Sequence, residues 1–215
     1  MVRYVIFDFD GTIADSRYLA FDVYNEHAKT FDFRQIKKEE LPMLRNMSTV
    51  QRLRFMGAAL WKLPKILFSA MTAYRNRLDE IQDYAGVEPL LRELQQLGYH
   101  LQILSSNTEE NINGYLTQHR LDMFEAVYHA SFLKGKAKTL REFISDKNIH
   151  VEQVLYIGDE VRDIEACRKV GVMICSVTWG FDSTEALASH QPDWIVHSPQ
   201  ELKRVIENWY SGGKA

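Results

Sequence analysis

The chain has 215 residues, enough for one large α/β domain or for a domain carrying a small insertion. Its content of 46% hydrophobic and 26% charged residues is that of a soluble globular protein, and no run approaches the roughly 18 apolar residues of a membrane span. A net charge of −3 argues against a nucleic-acid binder, and seven scattered His residues with no ligand-spaced pair argue against a zinc site.

The first predicted element is an apolar strand from Val2 to Phe7, rich in Val, Ile and aromatic residues. Met1-Val2-Arg3 leads straight into it, so no secretory leader is expected and the cytoplasm is the default location. The strand delivers Asp8 and Asp10, followed by Gly11 and Thr12, to its carboxyl end, where open α/β sheets hold their ligands. Two carboxylates beside an apolar sheet end are costly unless a cation joins them. Hard Mg²⁺, which takes oxygen ligands, is the natural candidate. A plain surface turn is the competing reading, since Asp and Gly are turn residues. A calcium loop is excluded: counted from Asp8, its glycine and glutamate positions hold Ile13 and Leu19.

From residue 14 to 83 the pattern is helical. Leu19 and Val23, then Leu53, Met56 and Leu60, then Leu67, Met71, Tyr74 and Leu78 recur at spacings of three and four. Pro42 and Pro64 divide the region, which reads as about four helices inserted after the first strand. Residues 34 to 77 hold ten Lys or Arg against two acidic residues, a local charge of +8. Such a surface suits an anionic substrate, although most of these side chains are expected to be solvated; Arg45 and Lys62 are singled out as possible substrate contacts.

From Tyr84 helices and strands alternate. Helices are expected over Pro89–Leu97, Glu109–Gln118, Lys136–Lys147, Val161–Val170 and Pro199–Tyr210. Strands are expected over Tyr99–Leu104, Ala126–Ala130, Val154–Ile157, Met173–Thr178 and Trp194–Val196. Gly98 and Gly171 close helices. This alternation implies a parallel sheet with right-handed crossovers. Cys167 and Cys175, without Cys-x-x-Cys spacing, are expected as buried reduced thiols. Residues 212–215 are expected to be a flexible tail.

A parallel sheet brings its carboxyl ends to one edge. Asp8 and Asp10, Ser105-Ser106-Asn107, and Gly158-Asp159 through Asp163 would therefore meet there. Ser105 precedes a helix whose free N–H groups favour an anion. Lys134, Lys136 and Lys138 follow the third strand. Carboxylates for a cation, hydroxyls and amides for a phosphate, and a lysine between them are what phosphoryl transfer requires. Solvated roles compete for Lys134 and Lys138, and for Asp163 a helix cap or a pairing with Arg162.

Taken in chain order, with Gly135-Lys136-Ala137 third and Gly158-Asp159 through Asp163 fourth, these four stretches resemble the four motifs of the haloacid dehalogenase superfamily of phosphatases. The resemblance covers the whole chain except the tail. It implies an α/β fold: a Rossmann-like, doubly wound parallel sheet core at 1–13 and 84–211, with an all-helical cap domain inserted at 14–83. It also implies roles. Asp8 would attack phosphorus, and Asp10 would serve as acid and then base. Mg²⁺ would be held by Asp8, the Asp10 backbone carbonyl and Asp159, with Asp163 near or among the ligands. Ser105, at the strand end, or else Ser106 would bind the phosphoryl oxygens together with Lys136 of Gly135-Lys136-Ala137. The expected activity is a Mg²⁺-dependent, phosphoglycolate phosphatase-like hydrolysis of a small anionic phosphate ester, by a monomer or homodimer without nucleic-acid or membrane partners. A sugar phosphomutase of the β-phosphoglucomutase type shares these motifs. A receiver-like phosphate-accepting signalling module is disfavoured by the helical insertion and by Asp10.

Overall fold

The computed structural model describes residues 3–57, 63–131 and 135–211. In chain order, β1 (Tyr4–Phe7) and β2 (Ala14–Asp15) lead into α1 (Arg17–Phe31), α2 (Leu41–Arg45), α3 (Thr49–Met56) and α4 (Leu63–Arg75). Then come β3 (Gln82–Asp83), α5 (Val87–Gln96), β4 (His100–Ser105), α6 (Glu109–Gln118), β5 (Ala126–His129) and α7 (Lys136–Lys147). The chain continues with β6 (Val154–Gly158), α8 (Val161–Val170), β7 (Met173–Val177), α9 (Thr184–Ser189), β8 (Trp194–Val196) and α10 (Pro199–Tyr210). Val2, Leu60, Lys62 and Lys134, named above, and the tail at 212–215 lie outside the described residues.

Six strands pair in parallel in the order β5-β4-β1-β6-β7-β8. The fold is the expected α/β, Rossmann-like, doubly wound sheet. Side chains alternate across β1: Val5 and Phe7 pack into one apolar cluster and Ile6 into another. The first cluster takes in α5, α6 and α10, the second α7, α8 and α9. Helices covering both faces explain why β1 and β6 read as unbroken apolar runs. β1 lies between β4 and β6, where the strand order reverses, with Phe7 opposite both Ile103 and Ile157. That reversal opens the crevice in which such sheets bind ligands.

Three local features depart from the sequence reading. α5 begins at Val87, two residues before Pro89, which therefore sits in the first turn where its missing N–H costs nothing. α9 was not expected; Ser183 caps it by accepting from the Ala186 N–H. β2 and β3 form a two-residue antiparallel pair, Ala14 opposite Asp83 and Asp15 opposite Gln82, which ties together the start and end of the helical segment. Cys167 and Cys175 are buried and free, as expected.

Candidate active site

Asp8 directly follows β1 and its N–H donates to the Ile157 carbonyl at 2.8 Å, continuing the ladder to β6. Its carboxylate is buried at the sheet edge. Oδ1 accepts from the Phe9 N–H at 2.8 Å and Oδ2 from the Lys136 ammonium at 2.5 Å. Lys136 opens α7 and reaches the Asp163 Oδ1, also at 2.5 Å. Burial works against the ammonium charge, yet Asp163 and Asp8 outweigh it and hold its pKa above the usual lysine value. Lys136 thus stands where the strand ends converge, while Lys138 is exposed.

Asp10 lies on the turn after β1. Its Oδ1 accepts from the hydroxyls of Ser16 and Tyr74, each at 2.6 Å, and its Oδ2 from the Asn107 amide at 2.8 Å. Burial raises its pKa, and the Asp8 charge adds to that, against the lowering effect of these three hydrogen bonds. Ser105 is buried at the end of β4 and accepts the Asn107 N–H at 3.3 Å; Ser106 is half-buried beside it.

Beyond β6 the chain supplies three acidic groups. Asp159 Oδ1 accepts from the Thr12 hydroxyl at 2.8 Å and Oδ2 from the Phe181 N–H at 2.7 Å. Gly11, at φ +80°, and Gly180 both press on this carboxylate, and a Cβ at either position would collide with it. Burial first, then the charges of Glu160, Asp8 and Asp163, push the Asp159 carboxyl well above its usual range. Asp163 caps α8, accepting the Glu160 N–H at 3.2 Å while it holds Lys136. Its carboxyl is pushed up to about 7 by burial, with Lys136 pulling the other way. Arg162 pairs with Glu160 rather than with Asp163.

Carboxylate oxygens of Asp8, Glu160 and Asp163 come within 4.8 Å of one another, a grouping able to hold a cation. Glu160 is the member that sequence reasoning missed; its only signal was its place inside the fourth stretch. An all-oxygen set of buried carboxylates suits Mg²⁺; Asp159 and Asp10 lie outside that grouping.

Arg45 ends α2 and spends its guanidinium on a core loop. It donates to the carbonyls of Gly180, Phe181, Asp182 and Thr178 at 3.2 to 3.5 Å. Arg52 of α3, not singled out by sequence, pairs with Asp182 and stands 3.7 Å from Glu160. Asp182 in turn accepts the Val161 N–H at 2.7 Å, at the start of α8. Two arginines of the helical segment therefore grip the loop whose Phe181 N–H holds Asp159. Lys62, the other expected contact, lies outside the described residues.

The family profile for haloacid dehalogenase-like hydrolases matches residues 5–177. A phosphoglycolate phosphatase of Synechococcus elongatus is 32% identical over 203 residues, spanning 94% of this chain and 96% of that protein. A pyrophosphatase PpaX of Listeria monocytogenes is 26% identical over 218 residues, spanning 95% and 96%. Among solved structures, a haloacid dehalogenase-like family protein of Streptococcus pneumoniae superposes with a TM-score of 0.82 at 21% identity, over 95% of this chain and 98% of that one. CbbY of Rhodobacter sphaeroides, solved with phosphate, gives 0.74 at 17% identity over 94% and 96%.

Proposed function

The chain belongs to the haloacid dehalogenase-like hydrolases and is a phosphatase of that family; from this premise we propose that it hydrolyses a small phosphorylated metabolite of the phosphoglycolate kind, with Mg²⁺, through an aspartyl phosphate on Asp8. The observation that carries the reading is Lys136 bridging Asp8 and Asp163 at 2.5 Å, with Asp10 held by three donors two residues along.

An Asp8 carboxylate oxygen attacks phosphorus, and the bond from phosphorus to the ester oxygen breaks. Asp10 gives its proton to that departing oxygen. Asp10 then takes a proton from water, whose oxygen displaces Asp8 and releases phosphate. Lys136, Ser105 and Ser106 hold the phosphoryl oxygens. Asp8, the Asp10 backbone carbonyl and Asp159 would hold Mg²⁺, with Asp163 and Glu160 beside them, and the ion would offset the charge of carboxylates and phosphoryl group together. Residues 14–83 act as a cap domain over the core of 1–13 and 84–211, a reading supported by the β2–β3 closure and by the grip of Arg45 and Arg52 on the 178–182 loop.

The test is phosphate release from a panel holding phosphoglycolate, sugar phosphates and inorganic pyrophosphate, with Mg²⁺ and then with EDTA. Release that EDTA abolishes and Mg²⁺ restores is expected, with rapid quench and mass spectrometry finding added phosphate on the peptide containing Asp8. Full activity in EDTA would sink the metal assignment. Isomerised sugar phosphate without free phosphate would favour a mutase.

A further inference from the structure

We propose that Tyr74, near the C-terminal end of α4, is a positioning residue for proton transfer at Asp10, and that Asn107 and Asn111 extend the same hold to the second carboxylate oxygen. The inference rests on the acid and base role given to Asp10 above. Tyr74 is buried, and its hydroxyl finds its partner in Asp10 Oδ1 at 2.6 Å. A buried tyrosine hydroxyl without such a partner would be costly, so the contact fixes both groups. Ser16 donates to the same oxygen, also at 2.6 Å.

The other oxygen is reached indirectly from the same helical turn. Asn107 Oδ1 accepts from the Thr108 N–H at 2.8 Å and from the Asn111 amide at 2.9 Å. With its carbonyl so committed, the Asn107 amide nitrogen faces Asp10 Oδ2. Asn111, buried in α6, is itself oriented from α4: it donates to the Met71 carbonyl at 3.2 Å and accepts from Arg75 Nε at 3.3 Å. Met71, Tyr74 and Arg75 stand at i, i+3 and i+4, so they share one face of the helix. One turn of α4 thus reaches both oxygens of Asp10, directly through Tyr74 and through Asn111 and Asn107, and with Ser16 it holds the carboxyl in one orientation.

Tyr74→Phe tests this, because it keeps the ring that fills the core and removes only the hydroxyl. The loss of one hydrogen bond to an ionisable group predicts a fall in kcat of about tenfold or more on an alkyl phosphate, with KM little changed. On a nitrophenyl phosphate, which needs little protonation to leave, the attack step, read as the pre-steady-state burst of nitrophenol, should slow much less than attack on the alkyl ester. In an Asp10→Asn background Tyr74→Phe should add almost nothing, since both changes act on one group. Asn111→Ala should give the same pattern from the other oxygen and serves as the second probe if Tyr74→Phe destabilises the fold. Equal losses in the attack step on both esters, read by rapid quench, or losses that simply add to those of Asp10→Asn, would overturn the positioning role and leave the phosphatase reading intact. An Asp10→Asn enzyme as active as the parent would overturn both.

Discussion

Lys136 sits buried between Asp8 and Asp163, and its ammonium is the shared ion-pair partner of both carboxylates. Lys136→Met should lower turnover roughly a hundredfold or more, the scale of losing one preorganised electrostatic contact. It should also cost on the order of 3–5 kcal/mol in a metal-free thermal melt, because two buried carboxylates lose their partner. Lys138→Ala, on an exposed side chain, should change neither. A wild-type melting curve for Lys136→Met would disprove the pairing. Gly11→Ala should be similarly harmful, since φ is +80° there and the added methyl meets Asp159; the readout is weakened Mg²⁺ binding by calorimetry. At this scale the sequence was informative where an apolar run ended in polar groups, as at Asp8, Asp10, Ser105 and Asp159. It was silent on Tyr74 and Asn111, because their contacts join helices far apart in the chain and leave no local pattern.

Among the elements, α2 has the least expected task. Its Arg45 was read as a substrate contact, and in the structure it holds four carbonyls of the 178–182 loop. Arg45→Ala should cost roughly 1–3 kcal/mol through these unmet acceptors. It should also raise the Mg²⁺ concentration needed for half-maximal activity, because Phe181 in that loop donates to Asp159; unchanged Mg²⁺ dependence would return Arg45 to a substrate role. The β2–β3 junction carries a second test. Burial would raise the Asp15 carboxyl, but its paired hydrogen bonds from Arg17, each 2.8 Å, outweigh this and hold it below the usual range. A depressed pKa stabilises the fold above the ordinary aspartate value and ceases to do so as pH falls through the folded one. Asp15→Asn should therefore lower stability at neutral pH, by about 1 kcal/mol or less for a partly exposed pair, with the gap closing below about pH 4. Helices of ten or more residues were legible from their spacing and caps. Two-residue strands carry no period to read, and α9 is a six-residue helix marked only by its Ser183 cap.

Across the whole molecule, the +8 of residues 34–77 faces a remainder that is acidic. The structure commits much of that charge. Arg52 pairs with Asp182 and stands near Glu160, Arg75 pairs with Glu110, and Arg77 meets Asp22, Glu26 and Glu80. Arg34 pairs with Glu40. Charge spent on such contacts attracts a distant anion weakly, so kcat/KM should fall less than about tenfold between low salt and 0.5 M salt, where the Debye length drops to a few ångströms. A steeper fall would mean that the segment steers substrate in from solution.

The β2–β3 pair also bears on how the chain finds its structure. β1 must meet β4, placing Tyr4 opposite His100, and then β6, placing Tyr4 opposite Val154. Contacts so distant in sequence are slow to form, because the intervening chain must be closed into a loop before they stabilise anything. Once Ala14 lies against Asp83, the residues between them no longer lengthen that loop. The helices of the insertion are local structures that form fast on their own scale. In any state in which the junction has formed, the effective chain separation between β1 and β4 is therefore much shorter than their numbering implies.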